Sequence, residues 1–200
     1  MRYLLFVFLA LIIAALQGCV AVVATTAAGG GVLVAEDRRT NSAMVEDESI
    51  ELKAQSRITE NFKQYSNTIH VNVTSYDHNV LITGEVPSEE VKSGIEKTVK
   101  DIQNVRSITN ELVVAEPTSW GSRSNDTLIT SNVKSRFIEA RKFQANWVKV
   151  VTENKVVYLM GIVNHTEADD AAKIASTTSG VEKVVKVFEY TDEADTKISR

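Results

Sequence analysis

The sequence predicts an α+β protein made of two tandem copies of one α-β-β-α-β unit, each with two helices packed on a three-stranded mixed sheet. Three observations carry this expectation. The chain repeats its own order of apolar runs. Each copy switches between stretches of helical period and stretches of strict alternation, and polar turns containing Asn or Asp separate the alternating stretches.

Ahead of the repeat lies a different kind of segment. Met1-Arg2-Tyr3 is a short basic start, and Leu4 to Ala15 is an unbroken apolar run of the length of a signal-peptide core. Leu16-Gln17-Gly18-Cys19 follows, and Cys19 is the one cysteine in the chain. This run resembles the lipobox of bacterial lipoproteins. The resemblance implies a signal peptide over residues 1–18, a diacylglyceryl group on the Cys19 thiol, and an acylated new amino terminus. A transmembrane helix from Leu4 to Ala24 is the alternative, since Val20 to Ala24 is also apolar. A lone cysteine forms no intramolecular disulfide. Val20 is not aspartate, which in enteric-type bacteria implies sorting to the outer membrane, facing the periplasm. Residues 19–44, with Gly29-Gly30-Gly31, read as a flexible tether.

The first copy is expected over residues 45–114. Ile50, Ala54, Ile58 and Phe62 recur every four residues and predict a helix. Val71 and Val73 flank polar Asn72, while Val80, Ile82, Gly84 and Val86 share one strand face, predicting a hairpin across Tyr76-Asp77-His78-Asn79. Ser88 with Glu89 and Glu90 caps a second helix reaching Ile102, and Asn104 to Val114 is the last strand. A linker is expected over residues 115–123, where Pro117 and Gly121 mark a loop.

The second copy, residues 124–191, answers part by part. Ile129, Val133 and Phe137 mark its first helix, Trp147 to Val150 and Val156 to Val163 its hairpin, and Thr166 with Glu167 the start of its second helix. Ala168, Ala171, Ala172 and Ala175 let that helix approach the sheet closely, and Gly180 to Phe188 is the last strand. Arg57 aligns with Arg136 and Gly84 with Gly161. Residues 192–200 form a charged tail.

The runs Val-x-Val, Val-x-Ile-x-Gly-x-Val and Val-x-x-Ile-x-Asn-x-Leu-x-Val of copy one have partners in copy two, Val-x-Val, Val-x-Leu-x-Gly-x-Val and Gly-Val-x-x-Val. Together they resemble the BON domain. Copy two departs where Lys186 stands in place of Asn110. A lipobox followed by two such domains is similar to the dual-BON outer-membrane lipoproteins. That resemblance implies phospholipid binding, a part in outer-membrane integrity, and gathering at division sites.

No catalytic constellation is evident: Gly-x-Ser-x-Gly and dinucleotide fingerprints are missing, and an enzyme is not expected. No metal site and no cofactor beyond the lipid on Cys19 is expected. His70, His78 and His165 have no second ligand at metal-binding spacing, and His165 with Glu167, Asp169 and Asp170 reads as a solvated helix start. The formal charge of −4 gives no reason to expect nucleic acid.

The copies differ in charge. Residues 46–114 hold twelve acidic against seven basic residues, and residues 124–191 eight against nine. In the first helix of copy two, Leu128 lies off the core stripe beside Thr127 and Thr130, followed by Lys134, Arg141 and Lys142. These six are the expected contact with anionic phospholipid. Trp120 is expected to pack between the domains in preference to reaching the bilayer. The alternative function is a periplasmic adaptor for envelope-assembly, division or cell-wall remodelling machinery, binding an envelope protein through Trp120 or through an outer sheet patch of Leu81, Tyr158 and Met160.

Overall fold

The computed structural model describes residues 37–191. Cys19, the signal segment, most of the expected tether and the tail from Asp192 lie outside the described residues.

Copy one opens with helix α1, Asn41–Asn61, whose cap is Thr40: its hydroxyl accepts from the Ala43 amide at 3.1 Å. The helix therefore begins inside the segment read as tether. The buried stripe runs Ala43, Asp47, Ile50, Ala54, Ile58, and its second member is a carboxylate, which a reading of apolar period counts as a break. Strands β1 (His70–Tyr76) and β2 (Asn79–Val86) pair antiparallel, and β3 (Ser107–Val114) joins β2 in parallel after helix α2 (Glu89–Lys100). Ser88 caps α2 by accepting from the Val91 amide.

Copy two repeats this with helix α3 (Trp120–Ala140), strands β4 (Val148–Glu153) and β5 (Val156–Val163), helix α4 (His165–Ser176) and strand β6 (Lys183–Tyr190). Its sheet order, β4-β5-β6, matches β1-β2-β3. Two boundaries differ from expectation. Gly121 lies in the first turn of α3, capped by Ser119, so the linker ends earlier than residue 123. Asn164, not Thr166, caps α4, forming a reciprocal capping box with Glu167.

The aligned glycines mark a close crossing of backbones. A Cβ on Gly84 would lie 1.9 Å from the His70 carbonyl oxygen, and one on Gly161 would lie 2.4 Å from that of Trp147. Gly84 also has φ of +119°. The aligned arginines share a task too. Arg57 donates to the Asp101 carbonyl after α2, and Arg136 to the Ile174 carbonyl and the Thr178 hydroxyl at the end of α4.

Each sheet buries one face under its own helices. Ile50, Ile82, Ile95 and Leu112 lie in the first core, and Val133, Phe137, Leu159 and Ala171 in the second. The opposite faces of the two sheets cover each other. Leu81 (1% exposed), Met160 (1%) and Tyr158 (5%) join Tyr76 in a third apolar cluster flanked by Val151, Val185 and Val187. The outer patch expected to receive an adaptor's partner is thus already occupied by the sister domain.

Candidate membrane-facing surface

Helix α3 has one stripe in the core and the opposite stripe in solvent. At 100° per residue, Trp120, Thr127, Ser131, Lys134 and Ile138 fall on one side, with Leu128 beside them. Ile129, Val133 and Phe137 fall on the other and are buried. Trp120 is 82% exposed, Leu128 63% and Ile138 66%. Trp120 does not pack between the domains; Ser119 starts the helix there, and the indole projects from its first turn with the Arg123 guanidinium 5.2 Å from its ring centre.

The polar groups between these apolar side chains are satisfied within the helix. Ser124 donates to the Trp120 carbonyl, Thr127 to that of Arg123, and Ser131 to that of Thr127. A hydroxyl already bonded to its own backbone loses less on leaving water. Thr130 differs from expectation: it is half-buried at the flank of the helix and donates to the Thr152 hydroxyl at 2.7 Å.

The cations gather at the helix's carboxyl end. Arg141 ends α3 in the left-handed region (φ +50°), and Lys142 follows it; both are exposed. With Lys134 they line a groove of about 980 Å³ whose wall also includes Arg39, Lys149, Ile138 and Phe143. Arg39 pairs with Asp37 and Asp47, and Lys149 with Glu51. Among the described residues, Lys134, Arg141 and Lys142 have no carboxylate at ion-pair distance. Glu167, the acidic residue of that wall, is engaged bidentately by Arg38 at 2.7 and 2.9 Å. The groove therefore presents unneutralised positive charge beside exposed apolar side chains.

Ile138 and Arg39 were not singled out in the sequence. Ile138 could have been found by the reasoning that found Leu128, being one residue past a core phenylalanine and off its stripe. Arg39 could not, because it reaches the groove only through the fold. Arg38 lies 3.6 Å from the Trp147 ring centre and Arg39 4.2 Å from that of Tyr76, so these adjacent residues hold one domain each.

The acidic start of α4 does not converge on a metal. His165 stacks on Tyr190, Glu167 serves the capping box and Arg38, and Asp169 pairs with Lys186. The described residues do gather one His–Glu–Glu group, His70, Glu85 and Glu153, between the two sheets. Among the described residues no helix is long and apolar enough to cross a membrane.

A duplicated α-β-β-α-β unit, with a glycine crossing in each hairpin and a half-apolar, half-cationic helix face on the second copy, defines a tandem small-domain module. The chain belongs to the BON domain family, which matches residues 46–116 and 125–192. It is 39% identical over 177 residues to the outer membrane lipoprotein DolP of Haemophilus influenzae, covering 88% of this chain and 91% of that one. It is 31% identical to a 21 kDa hemolysin of Actinobacillus pleuropneumoniae, over 77% of this chain and 79% of that one. It is also 31% identical to the osmotically-inducible protein Y of Escherichia coli, over 52% and 54%. The first likeness, over most of both chains, puts this protein among the outer-membrane lipoproteins.

Proposed function

We propose that this protein is a non-enzymatic lipoprotein, anchored through lipid on Cys19, whose second BON domain lays the outer face of α3 on anionic phospholipid and so supports outer-membrane integrity, including at division sites. The observation that carries this reading is the exposed row of Trp120, Leu128 and Ile138 running to Lys134, Arg141 and Lys142, which meet no carboxylate at ion-pair distance among the described residues. Apolar side chains enter below the headgroups while cations remain among the phosphates. At about 1 kcal/mol per basic residue, the three cations bind weakly by themselves. An acylated Cys19 raises their effective concentration at the surface.

Of the two surfaces that the adaptor reading offered, the sheet patch is lost, because Leu81, Tyr158 and Met160 are covered by the sister domain, while Trp120 is exposed. The lipid reading is tested with a lipid-free chain beginning at Asp37, sedimented with vesicles of phosphatidylglycerol or of phosphatidylcholine. We expect binding to the anionic vesicles alone, lost at least tenfold in Leu128→Glu and in Lys134→Glu. Equal binding to both vesicle types, or unchanged binding of both variants, would overturn it.

A further inference from the structure

We propose that His70, Glu85 and Glu153 form a binding site for a divalent transition ion of the Zn²⁺ class, joining the first BON domain to the second. His70 opens β1 and faces Glu85 across the first hairpin, whereas Glu153 ends β4 of the other domain. The three donor atoms lie within 4.8 Å of one another.

The chemistry of the group is unusual for a domain interface. Glu85 is 4% exposed and Glu153 7%, yet neither meets a lysine or arginine at ion-pair distance among the described residues, only the His70 ring. Two buried carboxylates facing each other are costly without compensating positive charge. The imidazole does not resolve the deficit by hydrogen bonding. His70 Nδ1 is buried and has no hydrogen-bond partner among the described residues, although Glu85 Oε2 stands 3.3 Å away and Glu153 Oε1 3.5 Å.

Those separations suit an ion. Metal–ligand bonds of about 2.0–2.2 Å in a tetrahedron set donor atoms roughly 3.3–3.5 Å apart, which is the spacing on both sides of Nδ1. One nitrogen and two carboxylate oxygens make a mixed donor set for Zn²⁺, with a fourth position left for water. Outer partners orient the carboxylates. Glu153 Oε2 accepts from Asn72 Nδ2 at 2.8 Å, leaving Oε1 turned to His70, and Glu85 Oε2 is approached by the amide and hydroxyl of Thr118. A groove of about 400 Å³ reaches His70 and Glu153 from solvent and provides entry. Coordination at Nδ1 requires the ring proton on Nε2. Asn72 Nδ2 stands 3.5 Å from that atom, at the outer limit of hydrogen bonding, and does not hold the opposite tautomer firmly.

The duplication sharpens the case. Counting from the glycine crossings, His70 corresponds to Trp147, Glu85 to Ile162 and Glu153 to Tyr76. Tyr76 donates to the Trp147 carbonyl, and Arg38 donates to the Ile162 carbonyl, so the corresponding residues gather at the other end of the interface. That end is aromatic and is covered by Arg38 and Arg39. The His–Glu–Glu end places three ligand-type side chains where its counterpart holds two aromatic rings and an aliphatic chain, and it has no arginine partner of its own among the described residues.

The test uses the full-length protein in detergent micelles, freed of metal by chelator and then given Zn²⁺ alone. Metal retained after desalting is measured, and melting is followed with and without Zn²⁺. We expect one Zn²⁺ per chain, a rise in Tm on addition, and at least a tenfold loss of affinity in His70→Ala and in Glu153→Gln. Glu153→Gln keeps the side-chain volume, and its melting without metal establishes that it is folded. His78→Ala, which removes a histidine paired with Glu46 at the other end of the hairpin, should bind as the parent does. No Zn²⁺ retained by the parent, retention unchanged in both site variants, or loss in His78→Ala in their place overturns the proposal.

Discussion

Asp47 and Asp126 show how a single residue can be misjudged from its type. Each lies three positions before a core isoleucine and reads as a surface charge of an amphipathic helix, yet each is buried and serves a hairpin turn. Asp77 and His78, and likewise Asn154 and Lys155, have positive φ, as a two-residue turn compatible with strand twist demands. Asp47 accepts from both turn amides at 2.8 Å and from the Ser75 hydroxyl, and Asp126 accepts from the amides of Asn154 and Lys155. Burial pushes the Asp47 carboxyl up, but the Ser75 hydroxyl, the two amides and Arg39 outweigh it and hold it below its ordinary value. The charged form is therefore the one the fold prefers. Its contribution is present above the unfolded-state value near pH 4 and is lost as pH falls through the lower folded-state value. Asp47→Asn should destabilise by about 1.5–3 kcal/mol at pH 7, the usual range for hydrogen bonds to a charged group. The difference from the parent should shrink at pH 3, as read from urea midpoints at both pH values. Gly84 makes the complementary case, being legible because both copies keep it in register. Gly84→Ala should lower stability by roughly 3 kcal/mol, more than Gly161→Ala, since it meets both a backbone clash and a positive φ.

At the scale of elements, the order of helices and strands follows from period, and the errors fall at ends where polar chemistry decides. The opening helices start at Asn41 and Trp120, well ahead of the apolar stripes first recognised, because Thr40 and Ser119 supply caps that hydrophobic period does not register. Asn164 competes with Thr166 for the start of α4 and wins through the reciprocal bond with Glu167. The candidate surface was half legible for the same reason. Leu128 stood out as an apolar residue off its stripe, whereas the exposure of Trp120 depends on a helix beginning within an expected loop. Two adjacent positions of α3 separate stability from binding. Phe137 is fully buried, with its ring edge-on to Phe143 at 5.0 Å between centres, and Phe137→Ala should cost about 3–5 kcal/mol. Ile138→Ala should change stability by less than about 0.5 kcal/mol and still weaken association with phosphatidylglycerol vesicles. Melting curves and sedimentation on the same two variants check this, and an Ile138→Ala protein that binds vesicles as the parent does would remove Ile138 from the docking face.

For the whole molecule, the sequence separates two faces of each sheet but does not say what covers the second. Leu81, Tyr158 and Met160 were recognisably off the helix-bearing face, and either a foreign partner or the sister copy could have met them. The sister copy does, and the contact is more than apolar. Lys149 reaches Glu51 and the Ser75 carbonyl, Arg106 meets Glu189, and Asn72 donates to Glu153. The arginines that precede α1 strap the assembly: Arg38 holds Glu167, the Ile162 carbonyl and the Trp147 ring of the second domain, while Arg39 holds Asp47 and the Tyr76 ring of the first. The segment ahead of α1 is thus tied to both domains at once, and the domains are expected to unfold together. Met160→Glu places an unpaired charge in the apolar cluster between the sheets, where desolvation opposes it strongly. Each domain keeps its own helix-covered core in that variant. Calorimetry should accordingly show one cooperative transition for the parent and two for Met160→Glu, with the relief of the buried charge coming from separation of the sheets rather than from loss of either core. A single transition merely shifted to lower temperature would mean that neither domain stands without the other, and that the contact between the sheets is part of one indivisible core.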